Sequence, residues 1–326
     1  MKGDVRIEKI VVKRHANKEK KLEAKFKSKY SLITCIISIL YFALIISTEM
    51  TYKKKLFDKS IKFQEDLREK FDKESSFYKF WNFISFFGTN LFCFGVFYII
   101  FIFFPLNSSF LVLQSLNFAD YLTNLFKIIY RNPRPYWKSN RLDIVCNSGY
   151  GIPSGHSVIG LSFYLVLSHV FTNFEFFRKN KKGQILRIII FCFFSVLIVL
   201  IIISRFFLSA HSINQILYGT LLGFGIYFLE IHIISYHTYS SKQFIKHIVS
   251  QNVVLIYFII YALLLGLLLS IYFCFDDDEF LEDYIFANIF NGERCDKKRK
   301  YQVLKTTGFT QALGITSIIG AHLGTI

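Results

Sequence analysis

Three short polar clusters interrupt an otherwise apolar chain of 326 residues. The first sets Lys127 seven positions before Arg134-Pro135. The second is Pro153-Ser154-Gly155-His156-Ser157, and the third is Ser204-Arg205 with His211 six positions further on. Together they supply three cations and two histidines, each close to the end of a long apolar run. An ionisable side chain at membrane depth is costly enough that its presence points to function. Three positive groups beside two imidazoles suit the gripping of a phosphate by its oxygens and its transfer, a reaction governed by positioning and charge stabilisation.

Each cluster has its own logic. Pro153 precedes an apolar run, so Ser154, Gly155 and His156 open a helix, where backbone N–H groups without intrahelical acceptors make an anion site. Glycine there lets a ligand approach the backbone closely. Taken alone, the same residues are also explained by a simple helix cap at Ser154. Arg134 lies between Pro133 and Pro135, which end the helix carrying Lys127 and fold the guanidinium back over the same pocket. Arginine also addresses two phosphate oxygens at once. Arg131, Lys138 and Arg141 read instead as boundary residues that snorkel to the interface. Gln215 follows His211 by four positions and shares its helical face. Its side-chain carbonyl is placed to accept the Nδ1 proton, leaving Nε2 as the free lone pair. Unperturbed imidazoles titrate near neutrality, which suits acid–base exchange. His232 and His237, with no cation neighbours, read as ordinary polar residues.

Membrane helices must hold these clusters in place. The chain is 53% hydrophobic, with 39 Phe and only 4 Pro, more apolar side chain than a soluble domain of this size could hide. The excess falls in runs of about 20 residues, the length that crosses a bilayer. The net charge of +16 comes from a basic tail and loops flanking those runs, without an aromatic–basic groove, so the expected partner is a lipid bilayer and not nucleic acid. Residues 1–30 read as a basic cytosolic tail, 31–48 as a retained transmembrane anchor, and 53–79 as an amphipathic connector on the membrane surface. Residues 80–235 form the core, with spans near 83–104, 109–130, 155–174, 185–207 and 211–234. Residues 236–326 are a transmembrane extension with candidate spans at 249–274 and 307–326. The span 109–130 carries Gln114, Asn117, Asp120, Asn124 and Lys127, so it must face other helices or a cavity.

Counting spans puts the loop 131–153 and the turn 205–211 on one membrane face, where the three clusters meet. The tail and Arg178-Lys179-Asn180-Lys181-Lys182 fall on the other, which charge bias makes cytosolic. Asn107-Ser108-Ser109, the one glycosylation sequon, then lies in a cytosolic turn. The six cysteines are scattered without zinc-ligand spacing, and no carboxylate cluster offers a metal site, so no cofactor is expected. The predicted fold is all-α, a polytopic membrane helix bundle.

Lys127-x6-Arg134-Pro135, Pro153-Ser154-Gly155-His156 and Ser204-Arg205-x5-His211 together resemble the three-part signature of the type 2 phosphatidic acid phosphatase superfamily. That superfamily includes lipid phosphate phosphatases, glucose-6-phosphatase and the vanadium haloperoxidases. The similarity covers roughly residues 80–235. Asp120-Tyr121-Leu122-x4-Lys127, Arg134-Pro135-Tyr136-Trp137 and Gln215 look most like the glucose-6-phosphatase branch. The resemblance implies a six-helix core and phosphoryl transfer to histidine. His211 would attack phosphorus, and His156 would protonate the leaving oxygen and then activate water. Lys127, Arg134 and Arg205, with the N–H groups of Ser154 and Gly155, would hold the phosphate oxygens. No metal is implied.

The resemblance also implies lumenal cysteines at Cys146 and Cys295, which a disulfide would join. The span count makes the site lumenal or extracellular, in the endoplasmic reticulum first and the plasma membrane as the alternative. The tail and first span have no clear counterpart in glucose-6-phosphatase. The substrate is a phosphorylated lipid or sugar. A dolichyl diphosphate phosphatase, a haloperoxidase and an inert scaffold retaining the pocket are the competing readings. The eight or so spans argue against the soluble haloperoxidases, and intact His156 and His211 argue against an inert relative.

Overall fold

The computed structural model describes residues 54–71, 74–139, 141–142, 150–173, 181–231 and 250–274, with scattered positions between 36 and 52 and between 242 and 246. The basic tail, half of the anchor 31–48, Cys146, Cys295 and the candidate span 307–326 lie outside the described residues. All regular structure among the described residues is helical. The helices are α1 (54–70), α2 (Ser76–Phe86), α3 (Asn90–Phe103), α4 (Leu106–Tyr130), α5 (Pro135–Lys138), α6 (Gly155–Asn173), α7 (Lys181–Phe207), α8 (Ile213–Leu229) and α9 (Gln251–Cys274).

Helix α6 is the centre of the bundle, packing against α4, α7 and α8. Its composition explains the position. Ser157, Ser162 and Ser168 temper an apolar run, and 67% of its most apolar stretch is buried, against 11% for α7. The almost uniformly apolar α7 turns Ile185, Ile188, Phe191, Phe193 and Val196 outward, towards acyl chains. Both helices are long and apolar enough to cross a membrane. At about 1.5 Å per residue, the 27 residues of α7 exceed the roughly 30 Å hydrocarbon core.

Helix α4 has the polar face that the sequence shows, and it faces inward. Asn117, Thr123 and Asn124 are buried, while Leu111, Val112, Leu116 and Ala119 join Val158, Leu161 and Phe163 of α6 in the core. Helix α8 approaches α6 through Gly219 and Gly223. A Cβ at either would stand 2.8 Å from the Ser154 carbonyl oxygen or 2.9 Å from that of Val158. Small residues four apart thus set the separation of the two helices.

Two expectations change. The apolar run 83–104 is not one straight helix: α2 and α3 meet at a 45° bend. Gly88 closes the end of α2, donating to the Ser85 carbonyl at 3.0 Å. Thr89 then caps α3 by accepting from the Phe92 N–H at 3.3 Å, as a threonine N-cap does. The connector 53–79 is the second change, because α1 does more than lie on a membrane. It buries Phe57, Ser60 and Gln64, the last two at the turn that joins α7 to α8. Ser60 Oγ accepts from the Ile213 N–H at 3.0 Å, Phe63 meets the Phe206 ring at 5.6 Å, and Ser139 donates to Glu65.

Candidate active site

The ends of α4 and α7 and the starts of α6 and α8 gather at one end of the bundle, and two backbone devices bring their side chains together. Helix α4 stops where Arg131 adopts φ 43°, a left-handed cap, with its N–H donating to the Lys127 carbonyl at 3.0 Å. Pro135 then opens α5 at its first position, and Arg134, just before it, is 4% exposed. Helix α7 ends in the same manner, with Ser209 at φ 55°. The N–H groups of Ala210 and His211 both donate to the Arg205 carbonyl, at 3.1 and 3.3 Å. That closed turn places Arg205 and His211 in one pocket although six positions separate them.

His211 is 2% exposed. Its Nδ1 lies 2.9 Å from the Gly151 carbonyl oxygen and 3.2 Å from Gln215 Oε1. Both neighbours accept only, so Nδ1 carries the proton and Nε2 keeps its lone pair. The Gln215 amide is itself fixed. Its Oε1 accepts from the Ser212 N–H at 3.2 Å, and its Nε2 donates to Asn132 Oδ1 and the Pro133 carbonyl, each at 2.7 Å. Gln215 therefore does face Nδ1 as its spacing suggests, but the nearer acceptor is the Gly151 main chain. No side chain marks a carbonyl in sequence. The one signal is glycine itself, since a Cβ on Gly151 would overlap the Gln215 amide.

Arg134 Nη1 stands 3.4 Å from His211 Nε2 and donates to the Ala210 carbonyl at 3.3 Å. Arg205 is 4% exposed and is held by Ser85 of α2, whose hydroxyl accepts from its Nη1. Ser85 carried no signal in the sequence. Lys127 Nζ would lie 3.9 Å from a Cβ at Gly155, so the ammonium sits at the start of α6. The His156 ring packs on the bend between α2 and α3, where a Cβ on Gly88 would come within 3.1 Å of its Cδ2. Arg134, Arg205, Lys127 and His156 all act electrostatically on His211, so the three clusters form one site. His211 lies in the turn between α7 and α8. Burial first, and then the charges of Arg134, Arg205 and Lys127, hold its imidazole well below the usual value.

One expected donor is otherwise employed. The Ser154 N–H donates to the Gln215 backbone carbonyl at 3.1 Å, which ties α6 to α8, and the Ser154 hydroxyl accepts from Ser157 at 3.0 Å. The Ser154 N–H is thus paired within the protein, and α6 itself begins at Gly155. The orphan donors of that first turn are those of Gly155 and His156.

Fold and site together define an integral-membrane, all-helical bundle with a cationic, two-histidine pocket at one end. Residues 108–239 match the PAP2 superfamily. Glucose-6-phosphatase catalytic subunit 1 of Bos taurus is 29% identical over 144 residues, 39% of this chain and 40% of the relative. The Mus musculus counterpart is 27% identical over the same extent. The match thus spans about two fifths of the length of these curated relatives. Among solved structures, that of the first transmembrane PAP2 type phosphatidylglycerolphosphate phosphatase from Bacillus subtilis superposes with a TM-score of 0.52. It is 18% identical, over 61% of this chain and 96% of that one, and so shares the fold.

Proposed function

We propose that this chain is a metal-independent membrane phosphatase that hydrolyses a phosphate monoester through a phosphohistidine. The observation that carries the reading is His211: two carbonyl oxygens hold its Nδ1 and its Nε2 faces Arg134 at 3.4 Å. In the first step the Nε2 lone pair attacks phosphorus, the bond to the leaving oxygen breaks, and that oxygen takes a proton from His156. In the second step neutral His156 removes a proton from water, whose oxygen attacks the phosphohistidine. Inorganic phosphate departs and His211 returns to its neutral form. Lys127, Arg134 and Arg205, with the first-turn N–H groups of α6, meet the charge on the equatorial oxygens. Gly151 and Gln215 keep the nucleophile in the reactive tautomer and stabilise it as charge develops.

The substrate is a lipid phosphate or a sugar phosphate. The site opens to the lumen of the endoplasmic reticulum. The test is phosphate release by membranes carrying the chain, with chelator present, from glucose 6-phosphate, phosphatidate, sphingosine 1-phosphate and a dolichyl diphosphate, beside His211→Ala. Release that persists in chelator and disappears in the variant supports the reading, and the preferred substrate selects the branch. Release that needs a metal, or that survives His211→Ala, would overturn it.

A further inference from the structure

The turn that carries His211 is braced from outside the superfamily segment 108–239. Helix α1 crosses that turn, and Gln64, fully buried, reaches into it. Its Nε2 donates to the His211 carbonyl at 2.9 Å and to the Phe206 carbonyl at 3.1 Å. Phe206 lies in the last turn of α7, and its carbonyl also accepts from the Ser209 N–H at 2.9 Å. One amide thus links the end of the helix bearing Arg205 to the main chain of the histidine. Four positions earlier, Ser60 accepts from the Ile213 N–H at 3.0 Å, satisfying an orphan donor at the start of α8. An apolar residue could fill the space of Gln64, and Gln64 Oε1 is buried without a donor. What glutamine adds is the pair of donors.

We infer that Gln64 is a positioning residue for His211: it fixes the main chain on which the imidazole is mounted, and so the line of attack of Nε2. The inference rests on the reading of His211 as nucleophile. In-line transfer is sensitive to misplacement along that line, whereas the Arg205 guanidinium is held on Ser85 of α2 and Lys127 extends from α4 to the start of α6. Loss of Gln64 therefore weakens the transition state and spares ground-state binding of phosphate.

The experiment uses the full chain in membranes, with p-nitrophenyl phosphate as substrate and inorganic phosphate and orthovanadate as inhibitors. Orthovanadate mimics the five-coordinate transition state and needs His211 in line; phosphate needs only the cations. For Gln64→Leu the expected result is kcat lower by at least about tenfold, vanadate inhibition weakened in step, and KM and phosphate inhibition within about threefold of the starting values. Glu69→Gln on the same helix, which breaks only an exposed pair with Arg141 at 3.5 Å, leaves all four quantities unchanged. A kcat within about threefold of the parent overturns the inference, as does phosphate binding that falls by the same factor as kcat. If Gln64→Leu does not accumulate, Gln64→Glu, of the same shape, carries the test. Failure of both to fold would make the role structural and likewise overturn it. His211→Ala separates the two readings: activity surviving there refutes the phosphatase mechanism, whereas activity lost there but kept in Gln64→Leu refutes only the role of Gln64.

Discussion

Gly219 offers the sharpest test of how the bundle sets the site. It lies on α8, four positions after Gln215, and faces the first turn of α6. A Cβ there would meet the Ser154 carbonyl oxygen at 2.8 Å, Ser157 Cβ at 3.1 Å and the Ser154 nitrogen at 3.2 Å. Two of these are backbone atoms that cannot swing away. Unstrained carbon contacts begin at about 3.5 Å, so Gly219→Ala requires α8 to retreat by roughly half an ångström. The overpacking costs about 1–3 kcal/mol, offset by about 0.5–1 kcal/mol because alanine favours the helix. The variant should therefore fold. The same retreat separates His156, on α6, from His211 and Gln215, and stretches the bond between the Ser154 N–H and the Gln215 carbonyl. A misplacement of about 1 Å is worth about 10²-fold in rate, so half of that predicts a loss of about tenfold in kcat. The assay is phosphate release per mole of folded protein in detergent. The matched control is Gly95→Ala, since a Cβ at Gly95 meets nothing within 4 Å. Full activity in Gly219→Ala, or an equal loss in Gly95→Ala, would refute the reasoning.

Four further outcomes are expected. Arg134→Lys keeps the charge but loses the guanidinium edge 3.4 Å from His211 Nε2; kcat should drop by about 10²–10³-fold, as for loss of one donor to developing charge, and a drop under about fivefold would count against the pocket. Because burial and three cations lower the affinity of His211 for protons, the acid limb of the kcat/KM profile should lie below about pH 6.5, the ordinary imidazole value; a limb above that value would contradict the assignment. The same shift has a sign for stability: the unfolded chain takes up the proton first, so the His211 contribution is complete above about pH 6.5 and is lost as pH falls towards the depressed folded value, which thermal unfolding at two pH values would read. Asn107 is 6% exposed at the start of α4, so Asn107→Gln should not change electrophoretic mobility after expression in a glycosylating host.

The three polar clusters were legible because charge inside an apolar chain is conspicuous, and the structure gathers Lys127, Arg134, His156, Arg205 and His211 at one end of the bundle. Helix type and the inward polar face of α4 were legible for the same reason. What escaped is what sequence carries weakly. The Gly151 carbonyl belongs to the main chain, and only the glycine hints at it. Phe57, Ser60 and Gln64 share one face of α1 at helical spacing, but two of the three are polar, so the buried face looks like a solvated one. Ser85 lies within an aromatic run whose apolar character also hid the bend before Asn90. The engagement of the Ser154 N–H escaped because its acceptor is the Gln215 main chain, which no residue type marks in sequence.

The Arg205 guanidinium rests on Ser85 and the His211 carbonyl on Gln64, and both supports precede residue 108, where the superfamily match begins. The start of the superfamily match is therefore not the start of the scaffold that holds the site. A fragment or chimera cut at residue 108 would keep every motif residue and still lack the scaffolding of a cation and a histidine. Any attempt to move this chemistry into another membrane protein has to take the chain from α1 onward.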